Sequence, residues 1–150
     1  MIGERLIKNF GTRLGIKLKL DDSHSCSFEA DNTLITITHL PETDEIVLLG
    51  DLGELPGANR EPLLMKLLQG NYLFKETHGA TFSVNTESKH IVLCRLFPAA
   101  SMDDYGFFAL TEQFVNVAEH YARILTAKNT EINSPSAYPP DPQNLNLLSV

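Results

Sequence analysis

Tryptophan is absent from the 150 residues, and cysteine occurs only twice, as Cys26 and Cys94. Two cysteines cannot build a disulfide framework, and no CxxC pair or Cys/His cluster suggests zinc. A single Cys26–Cys94 bridge is chemically allowed. The opening Met1-Ile2-Gly3-Glu4-Arg5 lacks the apolar stretch of a secretory signal, so two reduced thiols packed as small apolar groups are expected. No apolar run approaches the ~20 residues that span a bilayer. Basic residues are scarce too, with 12 Lys and Arg against 19 Asp and Glu and a formal net charge of -7. Nucleic acid and anionic lipid surfaces both need a surplus of cations, so neither is an expected partner.

The familiar catalytic signatures are missing as well. There is no HExxH, no GxSxG nucleophile elbow and no GxxxxGK phosphate loop. His24, His39, His78, His90 and His120 stand at no recognisable metal spacing. Cys26 lies two residues from His24, but Asp21 and Asp22 make the setting acidic, which disfavours a thiolate. A non-enzyme without cofactor or metal is the expectation, with a small cysteine-dependent enzyme as an alternative.

Apolar residues make up 43% and charged residues 21%, the balance of one globular domain. Leu6, Ile7, Phe10 and Leu14 share one face of a helix over residues 3–14, which Gly15 stops. Leu18 and Leu20 alternate with Lys17 and Lys19 in an extended piece. Strands are expected at Cys26–Ala30, Leu34–His39 and Glu45–Gly50 as an antiparallel meander. Asn59 is placed to cap a helix from Arg60 to about Asn71. Two more strands, Thr81–Asn85 and His90–Phe97, follow. Ser101 and Asp104 resemble a capping box before a last helix, about Met102 to Ala127, with Phe107, Leu110, Phe114, Val117, Tyr121 and Ile124 on its apolar face. The order α-β-β-β-α-β-β-α argues for an α+β fold with a twisted antiparallel sheet.

Two distributions stand out. Residues 1–20 carry Arg5, Lys8, Arg13, Lys17 and Lys19 against Glu4 alone, whereas residues 21–59 carry nine acidic side chains and no basic one. Such a split can orient a partner. Four of the eight prolines, Pro135, Pro139, Pro140 and Pro142, fall near the C-terminal end. The expected division is therefore a domain over residues 1–127 and a proline-rich, extended or flexible tail over 128–150. Residues 46–49 and 91–94 are apolar at every position, so both faces of their strands call for cover by the middle helix, a second subunit or a bound partner.

Several short segments carry a resemblance in order. Phe10-Gly11-Thr12-Arg13-Leu14-Gly15, Cys26-Ser27-Phe28-Glu29-Ala30-Asp31, Leu52-Gly53-Glu54-Leu55-Pro56, Leu67-Leu68-Gln69-Gly70-Asn71, and Phe114 with Ala118-Glu119 resemble the class I type III secretion chaperones related to the Tir chaperone. The match covers roughly residues 4–127. The resemblance implies a bacterial cytoplasmic homodimer without catalysis. It also implies binding of the extended N-terminal segment of an effector protein and delivery to the secretion apparatus and its ATPase. Some relatives of this fold instead sequester a regulator, which is the alternative function. Effector contacts are then expected at Ile16, Leu18, Leu20, Phe28, Leu34 and Thr36, and dimer contacts at Leu64, Leu68, Phe82 and Val84.

Overall fold

The computed structural model describes residues 1–133. Helix α1 (Ile2–Leu14) precedes β1 (Ser25–Ala30), β2 (Thr33–Leu40) and β3 (Glu45–Glu54). Helix α2 (Arg60–Asn71), β4 (Thr81–Asn85), β5 (His90–Pro98) and α3 (Asp104–Asn133) follow. Short 3-10 turns at Tyr72–Phe74 and Ala99–Ser101 lead into β4 and α3. The strands make one five-stranded antiparallel sheet in the order β1-β2-β3-β5-β4. This is the expected α+β order.

Strand alternation sorts residues onto two faces. Ile35 and Ile37 of β2, Ile46 and Leu48 of β3, and Ile91, Leu93 and Phe97 of β5 are buried. They form one core with Leu6, Ile7 and Phe10 of α1 and with Phe107, Phe114, Ala118 and Leu125 of α3. Burying each such aliphatic side chain stabilises the fold by about 1.5–3 kcal/mol. Leu63 and Leu67 of α2 join this same core, so α2 adds to the covered side of the sheet. On the other face, Val47 pairs with Leu96 and Leu49 with Cys94. Leu96 is 55% exposed there.

The thiols lie on opposite faces, because Cys26 pairs with the core residue Ile37 and Cys94 with Leu49. Their strands β1 and β5 are separated by β2 and β3. At about 4.8 Å per strand step this exceeds the reach of a disulfide, and both cysteines are free. Burial, with Asp21 nearby, pushes the Cys26 thiol up to about 11, and burial also raises that of Cys94. Protonated thiols of this kind are poor nucleophiles at neutral pH.

Several features differ from expectation, beginning with β3, which runs on to Glu54 rather than ending at Gly50. Leu14 is exposed rather than on the core face, since the chain leaves the helix at Gly15 with φ 72. Asn59 occupies the N-cap of α2 without a side-chain bond; its left-handed φ of 54 serves the turn instead. Ser101 does not cap α3, because it belongs to the preceding 3-10 turn and donates to the Pro98 carbonyl at 2.6 Å. Asp103 accepts the Gly106 N–H at 2.8 Å in its place. Finally, α3 continues past Ala127 to Asn133. No glycine or proline stands between Ala127 and Asn133 to stop it. Asn129 ties this extension to β3 by donating to the Glu54 carbonyl at 3.0 Å. Residues 134–150 of the expected tail lie outside the described residues.

The start of α1 is latched to the β2–β3 turn. His39 is buried, and its Nε2 lies 2.7 Å from Asp44 Oδ1, which also accepts the Gly3 N–H at 3.0 Å. The His39 hydrogen bond, reinforced by Gly3, holds the Asp44 carboxyl below its ordinary range. Only glycine fits at position 3, because a Cβ there would stand 2.4 Å from His39 Cδ2.

Candidate functional site

The candidate receiving site is a groove between α1 and the segment after it. Gly15 reverses the chain, and Ile16 donates to the Gly11 carbonyl at 3.0 Å. Leu18 then packs back onto α1 at Gly11, where an added Cβ would come within 3.1 Å of it. Side-chain-free backbone at Gly11 thus lets the segment lie close along the helix. The resulting cavity of about 700 Å³ is lined by Ile7, Ile16, Leu18 and Leu20 with Lys8, Lys17 and Lys19.

The backbone of this segment is open. From Lys17 to Leu20 the chain has no regular structure, and its backbone groups make no hydrogen bond among the described residues. One rung joins the segment to β1 across the turn, from the Asp21 N–H to the Ser25 carbonyl at 2.9 Å. Beyond it, β1 pairs only with β2. Backbone with unmade hydrogen bonds is a template for another strand.

Aromatic packing ties α1 to β1 and α3. Phe10 of α1 meets Phe28 of β1 at 5.9 Å and Phe107 and Phe108 of α3 at 5.6 and 5.8 Å between ring centroids. The Arg13 guanidinium sits 3.8 Å over the Phe108 ring. Asp104 of α3 accepts from Arg5 at 3.2 Å and Asn9 at 3.0 Å.

The residues expected to contact an effector fall into two groups. Ile16, Leu18 and Leu20 line the groove. Phe28 is half-buried on the core side of β1, against Phe10. Leu34 and Thr36 face the opposite side of the sheet, where they pair with Glu29 and Ser27. The structure therefore does not bring all of these residues to one surface.

A second apolar surface lies at the other end of the sheet, on α2, the turn after it and β4. Leu68 is 64% exposed, Tyr72 74% and Leu73 61%, beside the exposed Met65, Phe74 and Val84. Leu73 and Phe74 adopt φ of 57 and 56, a costly conformation for bulky residues that turns the chain sharply. Of the expected dimer residues, Leu68 and Val84 are on this surface and Leu64 is half-buried. Phe82 is instead a core residue, stacked edge-on to Tyr121 at 4.6 Å, and it shapes the edge from beneath. Reading this surface from sequence missed Tyr72, Leu73 and Phe74; three consecutive apolar residues just past a helix end were the available signal.

One rung of this second edge is occupied. Asn71 accepts the Phe82 N–H at 2.7 Å and donates to the Phe82 carbonyl at 3.3 Å, so its amide stands in for a neighbouring strand. The Tyr121 hydroxyl donates to Glu76 at 2.9 Å. Burial, that hydrogen bond and the Glu76 charge push the phenol up to about 12.

Among the described residues, no group of three or more His, Cys, Asp or Glu could hold a metal ion. No described helix is long and apolar enough to cross a membrane.

Comparison with known proteins agrees with this architecture. Residues 5–122 match the Tir chaperone protein (CesT) family, and the chain belongs to that family. A protein of Chlamydia pneumoniae is 30% identical over 119 residues, covering 77% of this chain and 90% of that protein. Among solved structures, a chain of the ExsC–ExsE complex superposes with a TM-score of 0.68 at 22% identity, covering 81% of this chain and 91% of that one. A chain of the HopA1–SchA chaperone–effector complex gives 0.66 at 16% identity, covering 81% and 94%. These likenesses establish the fold.

Proposed function

We propose that this protein is a type III secretion chaperone that holds the N-terminal segment of an effector in extended form along the α1 groove. The observation that carries the reading is the Lys17–Leu20 backbone, which makes no hydrogen bond among the described residues beside a cavity lined by Leu18 and Leu20. A partner segment gains main-chain hydrogen bonds there and seats alternate side chains on Leu18 and Leu20. Membership in the Tir chaperone family supports the same reading.

In this proposal the exposed α2–β4 surface joins two copies into a homodimer, which presents two grooves. The complex then travels through the bacterial cytoplasm to the secretion apparatus and its ATPase. The domain that does this takes in α3 as far as Asn133. The protein is not an enzyme and works by binding alone.

Co-expression with effectors of the same secretion system tests the reading. A soluble complex should form that requires the effector's N-terminal segment, and amide exchange should slow at residues 16–20. Stable complexes that leave those amides unprotected, or that form equally without the N-terminal segment, would remove it. A complex formed only with a transcription regulator would favour the sequestration role.

A further inference from the structure

We infer that the groove selects a segment in which apolar and acidic residues alternate, with Lys17 and Lys19 as the main specificity determinants and Lys8 in support. The inference rests on the groove being the receiving site.

Lys17 and Lys19 are exposed, whereas Leu18 and Leu20 are half-buried. That two-residue alternation is the pleat of a strand, with the leucines inward and the lysines outward. A strand laid alongside must follow the same pleat. Its inward side chains meet Leu18 and Leu20, and its outward ones stand about 4.5–5.5 Å from Lys17 and Lys19. Opposite charges in such cross-strand positions attract and like charges repel. Lys8 projects into the same cavity, and Glu4 is the one acidic residue lining it. Arg13, by contrast, is committed to the Phe108 ring.

The rest of the molecule sharpens this preference. Residues 21–59 hold nine acidic side chains and no basic one, so an acidic segment is repelled by most of the surface and steered toward the groove. A second copy is a poor occupant, because its own Lys17-Leu18-Lys19-Leu20 would set lysine beside lysine. Residues 134–150 contain one acidic residue, Asp141, between Pro140 and Pro142. Prolines lack the N–H groups a strand must donate. The fitting occupant is an extended segment of another polypeptide.

Fluorescein-labelled synthetic peptides that alternate Val with Glu, Gln or Lys provide the test, read by fluorescence anisotropy with the full chain. The Glu peptide is expected to bind about 3- to 10-fold tighter than the Gln peptide, the Lys peptide weakest, and the differences should shrink in 0.5 M salt. In K17E/K19E, checked for folding by circular dichroism, the order should reverse. Equal binding of the three peptides, or a Glu preference that survives K17E/K19E, would overturn this inference while leaving the groove as a receiving site. Absence of binding by any peptide would overturn both. So would binding that appears only on removal of residues 134–150, or only on dilution of a self-associated form, since the occupant would then be the chain itself.

Discussion

The two ends of the sheet are both apolar, yet they are apolar in different ways. At the α1 end the backbone of Lys17–Leu20 is open and the leucines are half-buried, with cations standing outside. At the α2 end the Phe82 N–H and carbonyl are already taken by the Asn71 amide, while Leu68, Tyr72 and Leu73 project outward. Unmade hydrogen bonds suit a ligand that arrives as bare extended chain. Projecting side chains on closed backbone suit a folded surface of matching shape, such as a second copy. The contrast shows that exposed apolar area alone does not say what a surface binds; the state of the backbone beneath it does.

Breaking the α2 end from within should have the largest effect. Phe82→Ala empties a buried ring site against Tyr121 and Gly70. It is expected to cost about 3–5 kcal/mol of stability in urea unfolding, because α2 loses its seat on β4. Charging the outer surface should act on assembly alone. Leu68→Glu with Phe74→Glu is expected to weaken self-association by about 2 kcal/mol or more, a shift to monomer in sedimentation, with peptide binding at the groove unchanged.

Acid should loosen the α1 end. Asp44 has its carboxyl lowered by His39 and Gly3, so it binds protons less readily folded than unfolded. Its contribution is present above the unfolded value of about 3.9 and disappears as pH falls through the lower folded value. D44N should therefore flatten the fall in stability measured below about pH 4. The smallest effect is expected from Arg13→Ala, which removes the contact over Phe108 and should cost about 0.5–1 kcal/mol in the same unfolding assay.

Much of this contrast was legible in the residues. The alternation of Lys17, Leu18, Lys19 and Leu20 is matched by alternating exposure, and Gly15 marks the helix stop before it. Periodicity also found the α3 core, from Phe107 through Tyr121. What it could not find was cover. Residues 46–49 read as wanting both faces buried, but only the register shows that Leu49 and Cys94 share the face away from α3. Phe28 and Leu34 looked alike as strand residues; the β1–β2 pairing places them on opposite sides of the sheet. The fit of Leu18 onto Gly11, and of Gly3 onto His39 across 36 positions of chain, depends on tertiary approach that no local pattern encodes.

The Asn71 amide has a bearing on growth. A sheet with two bare margins can add copies head to tail without limit. Here the Phe82 rung of one margin is taken by a side chain from the chain's own helix end, which shortens the run of bare backbone that a copy could pair with there. That blunts end-to-end growth at a margin whose greasy side chains would otherwise invite it.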